Sequence, residues 1–467
     1  RSSSLRANVG QPTGTSKLCL SCHDGTIALG SVLSRPSPIA FAGGGDRIPP
    51  GSTNLGTDLS DDHPISFVYP SSSPGGGSSL VPPQAISPPV KLDGNGEVQC
   101  TSCHEAHDNS NGNFLVRPNN AGALCSGCHV LRSWASSAHA TSSAVVTSDV
   151  AAFLGADPTS TSQNACKGCH RPHGAGSHAW ILHQQNISAT CLPCHKGGVA
   201  SSNIEREVIK ISSHGDTGAG TPGAGGGPYL EGTGVSCADC HNPHAAGSSE
   251  GVSGNLPRSL TQVAGVNLGG TPVEAVSYEH ELCLRCHGDA PASVPSLVSR
   301  VIVQSNKRLQ FQATNPSFHP VGNPGTNPSV PSLLPPLTTS STIGCGDCHD
   351  ADDTRKLGGT GPAGPHGSIY RPLLARRYDT LDFSVESPAA YSLCYRCHQR
   401  DSILRDDSFK EHKKHVVEEE APCSVCHDPH GISSAQGSVQ KNSHLINFDR
   451  SVVFPNRAGR LEFVDLG

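Results

Sequence analysis

The chain has 467 residues, a formal net charge of −6 with histidine neutral, and no methionine. Aromatic residues make up 4% and hydrophobic residues 35%, against 52 glycines and 37 prolines, so a conventional apolar core for a chain of this length is excluded. The acidic balance without a basic block argues against a nucleic-acid partner, and no apolar run approaches the roughly 20 residues of a transmembrane segment.

A C-x-x-C-H motif recurs ten times along the chain and uses all 20 cysteines. This motif is the attachment signature of c-type haem, in which two thiols join the haem vinyl groups and the histidine ligates the iron. Zinc ribbons and disulfides are the alternatives, but neither requires a histidine directly after every second cysteine. We therefore predict ten covalently attached haem c groups, at sites numbered 1 to 10 in chain order. The predicted thioether cysteines are Cys19, Cys22, Cys100, Cys103, Cys125, Cys128, Cys166, Cys169, Cys191, Cys194, Cys237, Cys240, Cys283, Cys286, Cys345, Cys348, Cys394, Cys397, Cys423 and Cys426. The predicted proximal iron ligands are His23, His104, His129, His170, His195, His241, His287, His349, His398 and His427.

The second axial ligand of each iron is also predicted to be histidine. Haem iron can take His, Met, Cys or Tyr, yet the chain lacks methionine and has no cysteine outside the motifs. Of its 25 histidines, ten lie in the motifs and the others are available as distal ligands. Without the methionine ligand that raises the potential, ten bis-histidine haems would be low-potential carriers with no open iron position. We predict an electron-transfer protein with no catalytic residues, not an enzyme.

The motifs are arranged in five dihaem repeats. Each repeat runs from one motif through a central histidine to a second motif followed by a trailing histidine. We place the repeats at residues 1–118, 119–185, 186–262, 263–375 and 376–467, the last with a C-terminal β-hairpin in residues 451–465. The predicted distal iron ligands are His63, His107, His139, His173, His214, His244, His319, His366, His415 and His430. An insertion displaces the fourth trailing histidine to His366, and His412 competes almost equally with His415.

A trailing histidine lies too close in sequence to the proximal one to reach the far face of the same haem. It must therefore serve a neighbouring haem. We expect it to cap the first haem of its own repeat, and the central histidine to cap the second. His178, His183 and His280 are expected to be packing or surface residues, and His444 could ligate a haem across a subunit boundary.

The expected fold is mostly coil with short helices and very few strands. The polypeptide would wrap around a chain of ten haems, which take the place of an apolar core. Helices are predicted in residues 145–153, 203–211 and 404–419, and the spacing of glycine and proline excludes long helices elsewhere.

The chain resembles the doubled-C-x-x-C-H family of multihaem cytochromes c, found in bacteria that move electrons to extracellular acceptors. The matching segments are residues 18–25, 55–67, 100–107, 423–431 and 444–449. The resemblance implies a secreted electron-transfer protein, and some relatives polymerise end to end into conductive filaments, or nanowires. The implied partners are copies of the chain itself, other redox proteins or extracellular electron acceptors. Because bacteria attach c-type haem outside the cytoplasm, we expect a mature form without its leader, extracellular or at the cell surface, with the periplasm as the alternative.

Three other functions stay open. A multihaem oxidoreductase would need an open catalytic haem with acid–base groups beside it. A monomeric periplasmic or outer-membrane electron carrier needs no self-association. A structural filament would contain the haems without using them for conduction.

Overall fold

The computed structural model describes residues 7–31, 33–40, 44–70, 78–155, 157–214, 235–247, 256–289, 296–461 and 463–465. The chain divides into two compact units. The first comprises Arg1–Ser201 with Pro243–Glu250, and the second comprises Ser202–Asn242 with Gly251–Gly467. Both consist mostly of coil with short helices and two-stranded sheets, as predicted. In the described part of the chain, no helix is long and apolar enough to cross a membrane.

The first unit contains five α-helices and two small antiparallel sheets among its described residues. The helices are α1 Gly14–His23, α2 Ala138–Thr141, α3 Ser148–Leu154, α4 Thr161–Asn164 and α5 Ile187–His195. The strands are β1 Phe67–Val68, β2 Ser78–Leu80, β3 Glu97–Val98 and β4 His129–Leu131. Strand β1 pairs with β3, with Phe67 opposite Val98, and β2 pairs with β4, with Leu80 opposite His129. The 3₁₀ turns are Pro83–Ala85, Cys100–Ser102, Asn120–Gly122, Cys125–Gly127, Trp134–Ser136 and Cys166–Gly168.

The second unit has the same character. Its described helices are α6 Glu205–Val208, α7 Cys237–Cys240, α8 Glu279–His287, α9 Lys307–Gln310, α10 Arg400–Leu404, α11 Cys423–Cys426 and α12 Val439–Asn442, with a π-helix at Lys414–Glu418. Its strands are β5 Ser212–Ser213, β6 Gly265–Val266, β7 Pro272–Val273, β8 Ser317–Phe318, β9 Gly367–Ser368 and β10 Gly431–Ile432, paired β5 with β9, β6 with β7 and β8 with β10. The 3₁₀ turns are Arg258–Leu260, Cys345–Asp347, Arg355–Leu357, Cys394–Arg396 and Ser443–Leu445.

Apolar packing among the described side chains is confined to small clusters. One cluster lies along α3 and contains Val146, Val150, Ala151 and Leu154. Another contains Phe311, Phe318 and Val321. Clusters of three or four buried side chains are too small to stabilise a unit of about 200 residues, so most of the apolar interior has to come from elsewhere.

The predicted helices form only in part. The first is found as α3 and the second as the shorter α6. The helix predicted in residues 404–419 is wrong as a single element, because α10 ends at Leu404 and Asp406 has a left-handed φ of 63° before the π-helix begins. The predicted C-terminal hairpin is represented by a turn, in which Asn456 N donates to Arg460 O at 2.8 Å. The described residues beside the turn form no strand, and Asp465 N bonds instead to Gln440 O at 2.8 Å.

Candidate haem sites

The C-x-x-C-H motifs fold into single turns. At sites 2, 4, 6, 8, 9 and 10 the proximal histidine N–H donates to the carbonyl of the motif's first cysteine at 2.8–3.0 Å. The motifs of sites 1, 5 and 7 form the ends of α1, α5 and α8. One helical turn brings residues four apart to the same side, so the two thiols and the imidazole can approach a single porphyrin.

Nine proximal histidines face a second histidine ring. The distance between ring centroids is 6.0–6.4 Å in every pair. With the proximal residue first, the pairs for sites 2 to 10 are His104 with His173, His129 with His63, His170 with His244, His195 with His139, His241 with His366, His287 with His214, His349 with His430, His398 with His319, and His427 with His412.

This spacing fits an iron between two imidazoles. Two metal–nitrogen bonds of about 2 Å, with about 1.1 Å from each nitrogen to its ring centroid, place the centroids roughly 6.2 Å apart. The same distances also fall within the range of about 4.5–7 Å of ordinary aromatic pairs, so the indication of iron ligation comes from the recurrence of one proximal histidine in each of the nine pairs. The rings are therefore separated as two axial ligands of one haem would be.

The outer ring nitrogens are held by hydrogen bonds that leave Nε2 available for iron. Nδ1 of His104 donates to Asn113 O at 3.0 Å, and Nδ1 of His170 donates to Trp180 O at 2.8 Å. Such bonds fix both the tautomer and the orientation of a metal-binding histidine. Burial lowers the pKa of His129 to about 4, which keeps this ring in the neutral form that binds metal.

In eight of the nine pairs the two histidines belong to neighbouring repeats, whereas we had expected pairing within one repeat. Central His63 of the first repeat faces His129, the first proximal histidine of the second repeat. In return, trailing His173 of the second repeat faces His104, the second proximal histidine of the first. The same reciprocal exchange joins each later repeat to the next. Sequence spacing could not reveal that the pairs join neighbouring repeats. It limits only how far a histidine can lie from the motif on its own short stretch of chain, and it says nothing of how two repeats pack.

The two exchanged histidines are held side by side by a contact that we call the clasp. In the clasp, Nδ1 of the central histidine donates to the carbonyl of the proline that precedes the trailing histidine. The three examples are His139 to Pro243 O at 2.8 Å, His214 to Pro365 O at 2.9 Å, and His319 to Pro429 O at 2.5 Å. Between the first two repeats the contact is His63 N to Pro172 O at 2.8 Å. A Pro-His dipeptide after the motifs of sites 4, 6, 8 and 10 is thus the sequence signal of this contact.

The angle between paired rings alternates along the chain. At the even-numbered sites 2, 4, 6 and 8, capped by trailing histidines, the ring planes lie 11–35° apart. At sites 3, 5, 7 and 9, capped by central histidines, the angle is 53–83°. Each clasp therefore holds two histidines that face two consecutive sites. One lies nearly parallel to the proximal ring of the even-numbered site, and the other is strongly inclined to the proximal ring of the odd-numbered site.

Consecutive sites approach each other through their cysteines. Burial and the neighbouring Cys128 thiol raise the pKa of Cys103 to about 11, so sites 2 and 3 are adjacent. In each of the following pairs, the second cysteine helps to raise the pKa of the first: Cys19 with Cys100, Cys103 with Cys128, Cys125 with Cys166, and Cys169 with Cys194 in the first unit, and Cys240 with Cys283, Cys283 with Cys345, Cys348 with Cys397, and Cys394 with Cys423 in the second. Sites 1 to 5 and sites 6 to 10 thus form two series, each in chain order.

The two ends of the chain depart from this scheme. His23 of site 1 is not in any of the nine pairs, and its Nδ1 donates to Thr53 O at 2.8 Å. The side chain of His107, the predicted trailing ligand of the first repeat, is 94% exposed, with its Nδ1 3.2 Å from Glu105 Oε1. Ala106 precedes His107, so the first repeat also lacks the Pro-His dipeptide.

At the other end, the ring geometry favours His412 over the predicted His415. His412 faces His427 at 6.3 Å, whereas the exposed His415 stacks on Phe409 at 6.1 Å. A π-helix begins at Lys414, directly before His415, and its wider turn sets the direction of the following side chains.

The other four histidines outside the motifs make contacts of a different kind. The contacts are His178 Nδ1 with Ser60 Oγ at 2.9 Å, His183 Nε2 with Lys167 O at 3.0 Å, buried His280 stacked on Tyr278 at 5.4 Å, and His444 Nδ1 with Ser443 Oγ at 3.0 Å.

Comparison with known families agrees with this geometry. A family model described as the doubled CXXCH motif matches residues 94–131 and 159–200. The doubled motif indicates a multihaem c-type cytochrome. Each matched segment contains two motifs, those of sites 2 and 3 and those of sites 4 and 5, which are also the site pairs joined by a clasp. Searches of curated proteins and of solved structures found no match.

Proposed function

We propose that the protein is a decahaem c-type cytochrome that carries electrons from haem to haem in extracellular electron transfer. The nine histidine pairs at the spacing of two axial ligands are the main support. The adjacent cysteines support it further, because two attachment sites whose thiols interact would hold their haems close together.

Haem c supplies a one-electron Fe(III)/Fe(II) couple when it is bound. The chain's own residues set the conditions for that couple. The cysteines fix the position of each site, and the histidines would occupy both axial positions, so that gain or loss of an electron requires no change of ligand. Where a backbone carbonyl accepts from Nδ1, as at His104 and His170, it holds that imidazole in place throughout.

Haem content and spin state test this proposal. The mass of the purified protein should exceed the polypeptide mass by ten haem groups, and ferric absorption and EPR spectra should be low-spin. A colourless protein, or one with far fewer than ten haems, would refute the proposal. A strong high-spin signal in the assembled protein would favour an oxidoreductase with an open catalytic haem.

The cytochrome is further proposed to act as the subunit of a filament, with copies of itself as partners. Site 1 supports this, since His23 is outside the nine pairs while exposed histidines remain near both ends of the chain, His107 in the first repeat and His415 and His444 in the fifth. In a filament, a neighbouring copy would supply the second ligand of site 1. The same repeat-to-repeat exchange would then continue from one copy to the next.

Imaging and carbon monoxide binding together test the filament. Electron micrographs should show filaments whose axial repeat corresponds to one subunit. Ferrous haem binds carbon monoxide where an axial position is open, so dispersed monomers should take up about one more equivalent per chain than filaments. Single particles only, with no uptake of carbon monoxide, would point to a monomeric periplasmic or outer-membrane carrier.

A further inference from the structure

Among the histidines of the nine facing pairs, one has an outer contact unlike those of the others. His173 donates from Nδ1 to the carboxylate of Asp62 at 2.9 Å, and the Asp62 side chain is only 6% exposed. For the other paired histidines whose Nδ1 is hydrogen-bonded, and for His23, the partner is a backbone carbonyl or, for His398 and His412, a serine hydroxyl.

The carboxylate is fixed by the fold around the first clasp. Its neighbour His63 donates its backbone N–H to Pro172 O at 2.8 Å, and Ala175 N donates to Asp61 O at 3.0 Å. These two bonds flank the contact between Asp62 and His173. Within the described residues, no lysine or arginine lies within ion-pair distance of Asp62, so its negative charge is directed at the imidazole alone.

A second aspartate in a similar position provides the comparison. Asp428 precedes Pro429 and His430, and His430 faces the proximal histidine of site 8. The Oδ1 atom of Asp428 lies 3.9 Å from Nδ1 of His430, beyond hydrogen-bond distance. Its other carboxylate oxygen accepts from Asn447 Nδ2 at 3.1 Å and lies 4.0 Å from Arg300 Nε. The charge of Asp428 is therefore partly compensated, and that of Asp62 is not.

We propose that Asp62 lowers the reduction potential of site 2 through its hydrogen bond to the distal ligand His173. This rests on the proposed function, in which His104 and His173 hold the iron of that site. A carboxylate that accepts the Nδ1 proton makes the imidazole a stronger donor, and a stronger donor stabilises the higher charge of the oxidised metal. A buried, uncompensated anion acts in the same direction.

The position of Asp62 next to His63 gives this effect a consequence for transfer. His63 faces the proximal histidine of site 3, so one dipeptide supplies the ligand of one site and tunes the neighbouring site. By lowering the potential of site 2, Asp62 would make electron transfer from site 3 to site 2 less favourable than with a neutral residue at position 62. It would make transfer from site 2 to either neighbouring site more favourable.

Redox titration of the full holoprotein tests the proposal, with the visible absorption of the haems as the measured signal. Asp62→Asn keeps an oxygen acceptor but removes the charge. About one-tenth of the total absorbance change, the share of one haem in ten, should then occur at a higher potential. The expected shift is a roughly tenfold change in the ratio of reduced to oxidised site 2, which is about 59 mV for a one-electron couple. Asp62→Glu should restore the wild-type curve, and Asp428→Asn should leave it nearly unchanged.

Two results would overturn the inference. One is an Asp62→Asn titration that superimposes on wild type at equal haem content. The other is an equal shift in Asp428→Asn. Asp62→Ser is a second neutral variant, and loss of one haem from both neutral variants but not from Asp62→Glu would make Asp62 a folding residue instead. Wild-type haem content tests the proposed function separately, so the two failures can be told apart.

Discussion

The sharpest test of the ligand assignment is the choice between two histidines only three residues apart. His412 faces the proximal His427 at 6.3 Å, a distance that accommodates an iron. His415 is exposed and stacks on Phe409 with an interplanar angle of 5°. We therefore expect His412→Ala to remove the distal ligand of site 10, and His415→Ala to leave all iron ligands in place. The expected effect is one site of ten, or about one-tenth of the low-spin signal.

Carbon monoxide titration of the reduced protein measures this directly. His412→Ala should bind about one equivalent more per chain than wild type, while His415→Ala, the matched control on the same segment, should bind no more than wild type in a dispersed sample. Ferric EPR should show a new high-spin signal in the first variant only. If His415→Ala opens a site and His412→Ala does not, the assignment of the ligand from the ring geometry is wrong.

Three further predictions follow from contacts at and beside the sites. A methyl group on Gly122, at φ +73°, would lie 2.6 Å from the thiol of Cys166, whereas Gly112, at φ +74°, has open space; the protein mass should therefore show one haem fewer in Gly122→Ala than in Gly112→Ala. The ammonium of Lys210 bonds three carboxylates at 2.5–3.1 Å, so Lys210→Met should destabilise that region by about 3 kcal/mol in hydrogen exchange. Burial raises the pKa of Glu207, one of those carboxylates, so the folded state binds its proton more tightly than the unfolded chain does. The stability lost in Lys210→Met should therefore become smaller as the pH falls from about 7 to about 5. A stability loss that grows over this range would contradict the reasoning. The alternating ring angles should give ferric EPR signals of two kinds, rhombic from nearly parallel imidazoles and strongly anisotropic from crossed ones, and a single kind would refute the alternation.

The sequence predicted the chemistry of the sites better than their connections. The C-x-x-C-H spacing is local, because one helical turn joins the two cysteines and the histidine, and the motifs are found as such turns. The pairing of His173 with His104 depends on how two repeats pack, which no local spacing encodes. The choice of His412 over His415 depends on the turns around the π-helix, a form too uncommon to expect from a charge-rich helical pattern. The small apolar clusters follow directly from the composition.

In the proposed ligation, histidines are exchanged between repeats, so no repeat completes both of its own sites. A division at residue 118, between the first two predicted repeats, would separate His63 from His129 and His173 from His104, so two sites would each lose a ring partner. The segments that match the doubled motif are shifted by one site from those repeats, and each contains two sites joined by a clasp. The clasped pair is therefore the better structural unit, because its two distal histidines are fixed by one contact. Sites 1 and 10 belong to no such pair: His23 lacks a partner among the nine, and His427 takes His412 from its own repeat. Only site 1 therefore lacks a facing histidine among the nine pairs, and it is the site that a neighbouring copy would complete in the proposed filament.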